Sequence, residues 1–124
     1  MSVQEVANGV IGMCREGQNL AAIDKFYAQD IVSVEPVGSP EMPAEMNGID
    51  AIRGKNQWWV ENHEVHNAVV EGPYLGENGF TAYFNYDVTH KPSGQRIQMQ
   101  EMAKYDVKNG KVVREEFFYN SPEA

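Results

Sequence analysis

Two acidic side chains stand among apolar residues in the last two predicted strands. From Arg96 to Val107 the sequence alternates with period two, and the apolar register of this run contains Glu101. The next run, residues 112–119, alternates in the same way and contains Glu115. A carboxylate among core side chains costs free energy unless it is paired, protonated or beside a cavity. Two such acids on neighbouring strands predict a pocket with a polar floor.

The same alternation selects the side chains that would surround these acids. Trp59, on a predicted helix, would cover the pocket mouth or form a wall, and Asn62 could hydrogen-bond a ligand at the rim. Tyr86 and Tyr119 would present hydroxyl groups, unless they are satisfied core tyrosines. A largely apolar lining with a few polar groups is typical of a small-molecule site. The predicted ligand-binding residues are Trp59, Asn62, Phe84, Tyr86, Met99, Ala103, Glu115, Phe117 and Tyr119.

Each acid also has a structural interpretation. Glu101 is either a half-desolvated acid with a raised pKa, suited to proton transfer, or a buried partner of Arg53, Arg114 or a helix-borne amide. Glu115 lies close to the last hairpin, where a bulge would turn it out to solvent. The sequence alone leaves both alternatives open.

Composition and spacing exclude several function classes. The 124 residues carry 18 acidic and 10 basic side chains, and the net charge of −8 argues against binding to nucleic acid. No apolar run approaches the ~18 residues that a membrane span needs, and the N-terminus has no signal pattern, so we expect a cytoplasmic protein. His63 and His66 lack the helical zinc spacing, and Cys14 is the single cysteine. We therefore expect no metal and no cofactor.

The order of elements predicts the fold class. Ser2 and Glu5 have the spacing of a capping box for a first helix, and Asn19 and Asn47 are positioned to open two more. After a brief strand at 31–34, the period changes to two from residue 66 onward, and Asn109-Gly110 is a strong hairpin signal. The predicted strands are 66–74, 79–90, 95–108 and 111–120. This pattern predicts a single α+β domain, residues 1–124, with a cone-shaped, curved antiparallel sheet wrapped around three N-terminal helices.

Three segments carry a family resemblance. Residues 23–32 and 48–53 resemble the nuclear transport factor 2-like superfamily, which includes SnoaL-like polyketide cyclases, ketosteroid isomerases and scytalone dehydratase. The resemblance implies one SnoaL-like domain with a cystatin-like roll, and a homodimer. Glu35-Pro36-Val37-Gly38-Ser39 resembles the ketosteroid isomerase segment in which the catalytic aspartate precedes Pro-Val-Gly-Ser. It implies that Glu35 holds the general-base position, although a residue before proline in a loop is often simply exposed.

The other isomerase groups do not carry over. By the same resemblance, the two oxyanion-hole donors of ketosteroid isomerase fall at Val10 and near Ala103, which cannot donate hydrogen bonds from their side chains. Removing even one such donor typically costs roughly 100- to 1000-fold in rate, so steroid isomerisation by that mechanism is disfavoured. Glu35, Glu101 and Glu115 would have to act in another way.

Two function classes remain. The first is a cofactor-independent enzyme that isomerises, cyclises or dehydrates a small apolar carbonyl or polyketide-like molecule, with Glu35 or Glu101 as the acid or base. The second is a ligand-binding or dimerisation module without chemistry, since a fold alone does not choose between them. We expect a homodimer through the outer face of the sheet, which carries few charges: Gln98, Gln100 and Met102 beside Thr81, Tyr83 and Asn85.

Overall fold

Helices lie mostly in the first half of the chain and strands in the second half. The computed structural model describes residues 1–120. Its helices are α1 (Val3–Arg15), α2 (Asn19–Phe26) and α3 (Ile49–Asn62). Its strands are β1 (Tyr27–Val34), β2 (Glu45–Asn47), β3 (His63–Leu75), β4 (Gly79–His90), β5 (Gln95–Lys108) and β6 (Lys111–Phe118).

The strands form one six-stranded sheet in the order β2-β1-β6-β5-β4-β3. Neighbours pair antiparallel except β1 and β6, which pair in parallel. A parallel pair needs a long crossover connection, and here the whole intervening chain supplies it. The predicted meander of β3 to β6 is confirmed, and the parallel pairing brings the first long strand against the last.

The core lies between the helices and the concave face of the sheet. Helix α1 begins with the predicted capping box of Ser2 and Glu5, and it buries one apolar stripe against the sheet. The buried side chains of this cluster include Val6, Val10, Ile11, Ile52, Phe80, Phe84, Ala103, Tyr105 and Val112. The α+β class with a curved sheet around the helices is therefore confirmed.

Register shifts curve the sheet at defined places. Strand β3 is irregular between Val65 and Asn67 and again between Glu71 and Tyr74. Strand β6 is irregular between Val112 and Arg114, next to the hairpin, where Val113 has no partner on β5. Such bulges bend a strand and increase its twist. The hairpin itself has positive φ at Asn109 and Gly110, as the sequence pattern predicts for a tight turn.

Element boundaries differ from the sequence prediction in strands and in helices. Strand β1 begins at Tyr27 and not at residue 31, and β3 begins at His63 and not at residue 66. Asn19 is the first residue of α2 and the preceding residue makes no side-chain cap. Asn47 ends β2, and α3 begins at Ile49 after Gly48, whose φ of 93° favours glycine. The three-residue strand β2 was not predicted, because its pairing with β1 is a long-range contact. None of the helices within residues 1–120 combines the length and apolar character required to cross a membrane.

Candidate functional site

A chain of hydrogen bonds joins two glutamates inside the curved sheet. Lys55 Nζ donates to Glu35 Oε2 at 3.1 Å and to Ser33 Oγ at 2.6 Å. Ser33 Oγ in turn donates to Glu115 Oε2 at 2.8 Å, and the hydroxyl of Tyr27 donates to Glu115 Oε1. The result is a continuous polar network from the sheet interior to the end of β1.

Local sequence explains how these groups meet. Ile31 and Ser33 alternate on the inward face of β1, and Glu35 continues that register just beyond the strand. Lys55 follows buried Ile52 by three positions on α3, so both lie near one helix face. The parallel β1–β6 pairing places Ser33 directly opposite Glu115.

Glu115 is a sealed carboxyl group. Its exposed fraction is 2%, and Ser33 beside it is fully buried. Burial raises the pKa of Glu115, while the Lys55 charge and the hydrogen bonds from Tyr27 and Ser33 oppose that rise. The alternative in which a bulge turns this residue to solvent is wrong: β6 does bulge at Val113, but Glu115 stays inward and buried.

Glu101 lies opposite Phe84 on the same face, but its carboxyl group is unpaired. It is partly exposed, and within residues 1–120 it makes no hydrogen bond or ion pair. Burial raises its pKa to about 7, the charges of Glu35 and Glu115 add to the rise, and Lys55 opposes it. A carboxyl group with such a pKa exchanges its proton at neutral pH.

The arginine pairing considered for Glu101 is not observed. Arg53 binds Asp24 and Asp50, and Arg114 binds Glu116 at 3.3 Å. The structural interpretation based on these two side chains is therefore wrong.

Glu35 lies at the open end of the network. Besides Lys55, it accepts a hydrogen bond from the hydroxyl of Tyr119 at 2.7 Å. The Glu35 side chain is 22% exposed and that of Lys55 is 14% exposed. Burial and then the Glu35 carboxylate raise the pKa of Tyr119, which keeps this hydroxyl a hydrogen-bond donor. Glu35 is therefore reachable from solvent while it is firmly held.

A cavity of about 360 Å³ opens at this end of the sheet. Its lining consists of Glu35, Pro36, Glu116, Phe117, Phe118, Tyr119 and Asn120. Three predicted pocket residues are thus brought together here: Glu35, Phe117 and Tyr119. Glu101, Trp59 and Phe84 do not line it, and Phe84 is only 3% exposed within the core. A larger groove of about 500 Å³ lies at the β3–β4 turn, among Leu75, Asn78 and Lys104, and contains none of the three glutamates.

The aromatic residues among the remaining predictions, Trp59, Phe84 and Tyr86, lie close to one another. Tyr86 lies 6.0 Å from Phe84 and 5.5 Å from Trp59, ring centre to ring centre, and Trp59 stacks on His63 at 4.5 Å. Met99 faces Tyr86 across the β4–β5 pairing, and Ala103 is buried opposite Ala82. The amide nitrogen of Asn62 donates to the carbonyl of Trp58, so it is engaged within its own helix.

Three members of the network were not identified from the sequence: Lys55, Ser33 and Tyr27. The helical spacing could have indicated Lys55, because it follows Ile52 by three positions on a helix face that also carries Asn56 and Trp59. Ser33 gave a weaker signal, as a small polar residue in the inward register of β1. The partners Tyr27 and Glu115 are 88 residues apart, which no local pattern reveals.

No metal site accompanies the network in the part of the chain that the structure describes, where no group of three or more His, Cys, Asp or Glu side chains is arranged to hold an ion.

Comparisons with known proteins agree with this architecture. The family model described as a SnoaL-like domain matches residues 1–119. A crystal structure of a candidate SnoaL-like polyketide cyclase from Mesorhizobium loti, also named a carbohydrate phosphatase, is 43% identical. The alignment covers 96% of this chain and 100% of that one, with a TM-score of 0.90. Curated proteins give no match.

More distant structures share the fold alone. A candidate isomerase from Bacillus subtilis is 14% identical, with a TM-score of 0.78 and coverage of 97% of this chain and 90% of that one. A cystatin-like protein of unknown function from Xanthomonas campestris is 12% identical, with a TM-score of 0.77 and coverage of 99% and 94%. With a family match over nearly its whole length and a relative at 43% identity, the chain belongs to the SnoaL-like family.

Proposed function

We propose that this protein is a cofactor-independent enzyme that moves a proton on a small, mostly apolar carbonyl or polyketide-like molecule. The reaction would be an isomerisation, an aldol-type cyclisation or a dehydration, each of which needs a group that takes up or releases a proton. The observation that carries this proposal is the Glu101 carboxyl group, which is inward-facing, unpaired within residues 1–120, and has a pKa raised to about 7. General acid–base catalysis works best when the pKa of the group is near the working pH.

Glu35 supports the proposal as the second carboxyl group of the site. It lines the cavity and accepts hydrogen bonds from Lys55 and Tyr119. A positioned carboxylate at the cavity and a protonated carboxyl group deeper in the sheet would suit a reaction in which one group removes a proton and the other returns it. We assign Glu101 as the group that exchanges the proton and Glu35 as the group at the substrate entrance.

The charges of the site favour a neutral substrate. Three carboxyl groups, of Glu35, Glu101 and Glu115, act on one another, and Lys55 is the cation that offsets them. A phosphate ester or a carboxylate ligand would meet this excess of acid, and like charges repel strongly where water is scarce. The apolar side chain of Phe117 in the cavity instead fits a hydrocarbon frame.

The Glu101→Gln variant tests the function directly. The substitution keeps the shape of the side chain and removes its titratable proton. With a panel of neutral ketones and β-hydroxyketones, exchange of α-protons for deuterium is followed by NMR. We expect wild-type protein to accelerate exchange for at least one compound, and Glu101→Gln to reduce that rate by about 100-fold or more. Glu64→Gln, the same change at an exposed position of β3, is the matched control. Equal rates in wild type and Glu101→Gln would contradict the proposal.

A second candidate is a ligand-binding or dimerisation module, and the outer face of the sheet favours it. Met102 and Phe118 pair across β5 and β6 on that face and are 41% and 50% exposed, and Val69 on β3 is 42% exposed. Exposed apolar side chains on one face of a sheet are typical of an interface. We propose a homodimer through this face. Light scattering at micromolar concentration should give twice the chain mass of 13.9 kDa. A monomer mass would rule this dimer out, and Met102→Glu should weaken it.

A further inference from the structure

One ammonium group, that of Lys55, links two of the three glutamates. Lys55 Nζ is within hydrogen-bond distance of Glu35 and Ser33, and its position 5.4 Å from the centre of the Phe117 ring fixes it further. Ser33 donates a hydrogen bond to Glu115. Lys55 therefore acts on Glu35 directly and on Glu115 through the hydroxyl group of Ser33. Its side chain is 14% exposed, so these contacts are made largely out of water.

Hydrogen-bond donors reach two of the three carboxyl groups. Glu35 accepts from Lys55 and Tyr119, and Glu115 accepts from Ser33 and Tyr27. Glu101 accepts from no side chain among residues 1–120. Hydrogen bonds donated to a carboxylate stabilise its charged form, and like charges close together cannot all be ionised at low cost. The proton that such a cluster retains is therefore expected on the carboxyl group without donors.

We propose that Lys55 is a positioning residue of this site: it holds Glu35, and through Ser33 also Glu115, as hydrogen-bond acceptors, and so confines the exchangeable proton to Glu101. This inference rests on the proposed function, because it assigns how the acid–base group of that function is set. Lys55 itself does not need to touch the substrate. Its effect is to keep three similar carboxyl groups in different roles.

Charged and titratable groups reach Glu101 from several elements. Lys55 comes from α3 and Glu35 from the end of β1, while Glu115 and Tyr119 come from β6 and the residue after it. Tyr86 of β4 and Tyr105 of β5 also interact with the Glu101 charge, but burial raises the pKa of both tyrosines. The tyrosines therefore stay neutral near pH 7. Beside burial, the charges that act on the pKa of Glu101 are those of Glu35, Glu115 and Lys55.

The test is a pH titration of the Glu101 carboxyl group by carbon-13 NMR, in ligand-free protein labelled at glutamate. The Glu101 resonance is assigned from its absence in Glu101→Gln. In Lys55→Met we expect the Glu101 midpoint to rise by about one pH unit, the lower end of what loss of an adjacent opposite charge does. Without the Lys55 cation the carboxyl groups share the retained proton, so the Glu101 curve should also become biphasic. Lys55→Arg, which keeps the charge, should restore a midpoint near that of wild type.

Lys25→Met is the matched control. Lys25 also lies 5.4 Å from an aromatic ring centre, that of Phe26, but on the exposed side of α2. The substitution removes the same charge from the chain without changing the network, so the titration midpoint of Glu101 should not change.

If Lys55→Met does not fold, Ser33→Ala keeps the inference testable. That variant removes one donor from Glu115, which should then protonate more readily, and the Glu101 midpoint should fall.

The outcomes separate this inference from the proposed function. An unchanged Glu101 midpoint in folded Lys55→Met, or in Ser33→Ala if Lys55→Met does not fold, overturns the inference, whatever the activity. A shifted midpoint together with full proton exchange in Glu101→Gln supports the role of Lys55 and overturns the proposed function instead. A shifted midpoint together with a matching shift of the pH–rate profile supports both.

Discussion

Glu101 and Glu115 occupy equivalent registers on neighbouring strands, yet their surroundings are opposite. Glu115 is sealed and receives hydrogen bonds from Tyr27 and Ser33. Glu101 is partly exposed and receives none from the described residues. Burial raises the pKa of both carboxyl groups, but only for Glu115 do hydrogen-bond donors oppose the rise. The position of a buried acid on its strand therefore does not determine its role. The role depends on which side chains of other elements donate hydrogen bonds to it.

We expect the largest effect from Glu115→Ala. This change leaves the hydroxyl groups of Tyr27 and Ser33 without their acceptor in the core. It also removes the carboxyl group to which Ser33 connects Lys55. Breaking a buried polar network in this way typically costs about 3–5 kcal/mol. Urea unfolding at pH 7 measures the loss.

Glu115→Gln is the companion variant, because it keeps volume and one carbonyl acceptor. Its loss of stability should be clearly smaller than that of Glu115→Ala. If the free energy of unfolding falls by less than about 1 kcal/mol in both variants, the hydrogen bonds of Glu115 do not stabilise the fold. The contrast with Glu101 then disappears.

The second prediction has the opposite sign and concerns Glu101→Gln. A carboxyl group whose pKa is higher in the folded than in the unfolded protein stabilises the fold below its ordinary pKa of 4.5, and this contribution is lost as pH rises through about 7. Glutamine has no such proton. The variant should therefore gain stability relative to wild type between pH 5 and pH 8, by about 2–3 kcal/mol at most.

Urea unfolding of both proteins at several pH values checks this difference. Glu115 is present in both chains, so most of its own pH dependence cancels. A difference that stays constant with pH would show that Glu101 titrates in the ordinary range for glutamate, and the acid–base proposal would lose its main support.

The comparison also shows what the sequence determines. Period-two alternation is local, so it placed both glutamates on the inward face of the sheet together with Phe84 and Phe117. The hairpin at Asn109-Gly110 and the capping box of Ser2 are local signals as well, and both are confirmed.

What the sequence did not determine is which acid has partners. Tyr27 reaches Glu115 because the first long strand pairs in parallel with the last, and that pairing is a property of the whole topology. Lys55 was overlooked for a different reason. A charged residue on a helix is normally solvated, and only the curvature of the sheet brings this one between Glu35 and Ser33. Partners of buried acids are long-range contacts, so local pattern identifies the acid and leaves its role open.

The smallest expected effects come from two tyrosines that play the same part in the two regions. Tyr27 donates to sealed Glu115, whereas Tyr119 donates to Glu35 at the cavity. Tyr27→Phe removes a donor that water cannot replace, and we expect a loss of about 1–3 kcal/mol in the free energy of unfolding. Tyr119→Phe removes a donor where solvent can substitute, so its loss should stay below about 1 kcal/mol. Both substitutions keep the ring, so thermal and urea unfolding report the hydrogen bond alone. Equal losses would mean that the two ends of the network are equally closed to water, and Glu35 could then not serve as the group that meets a substrate.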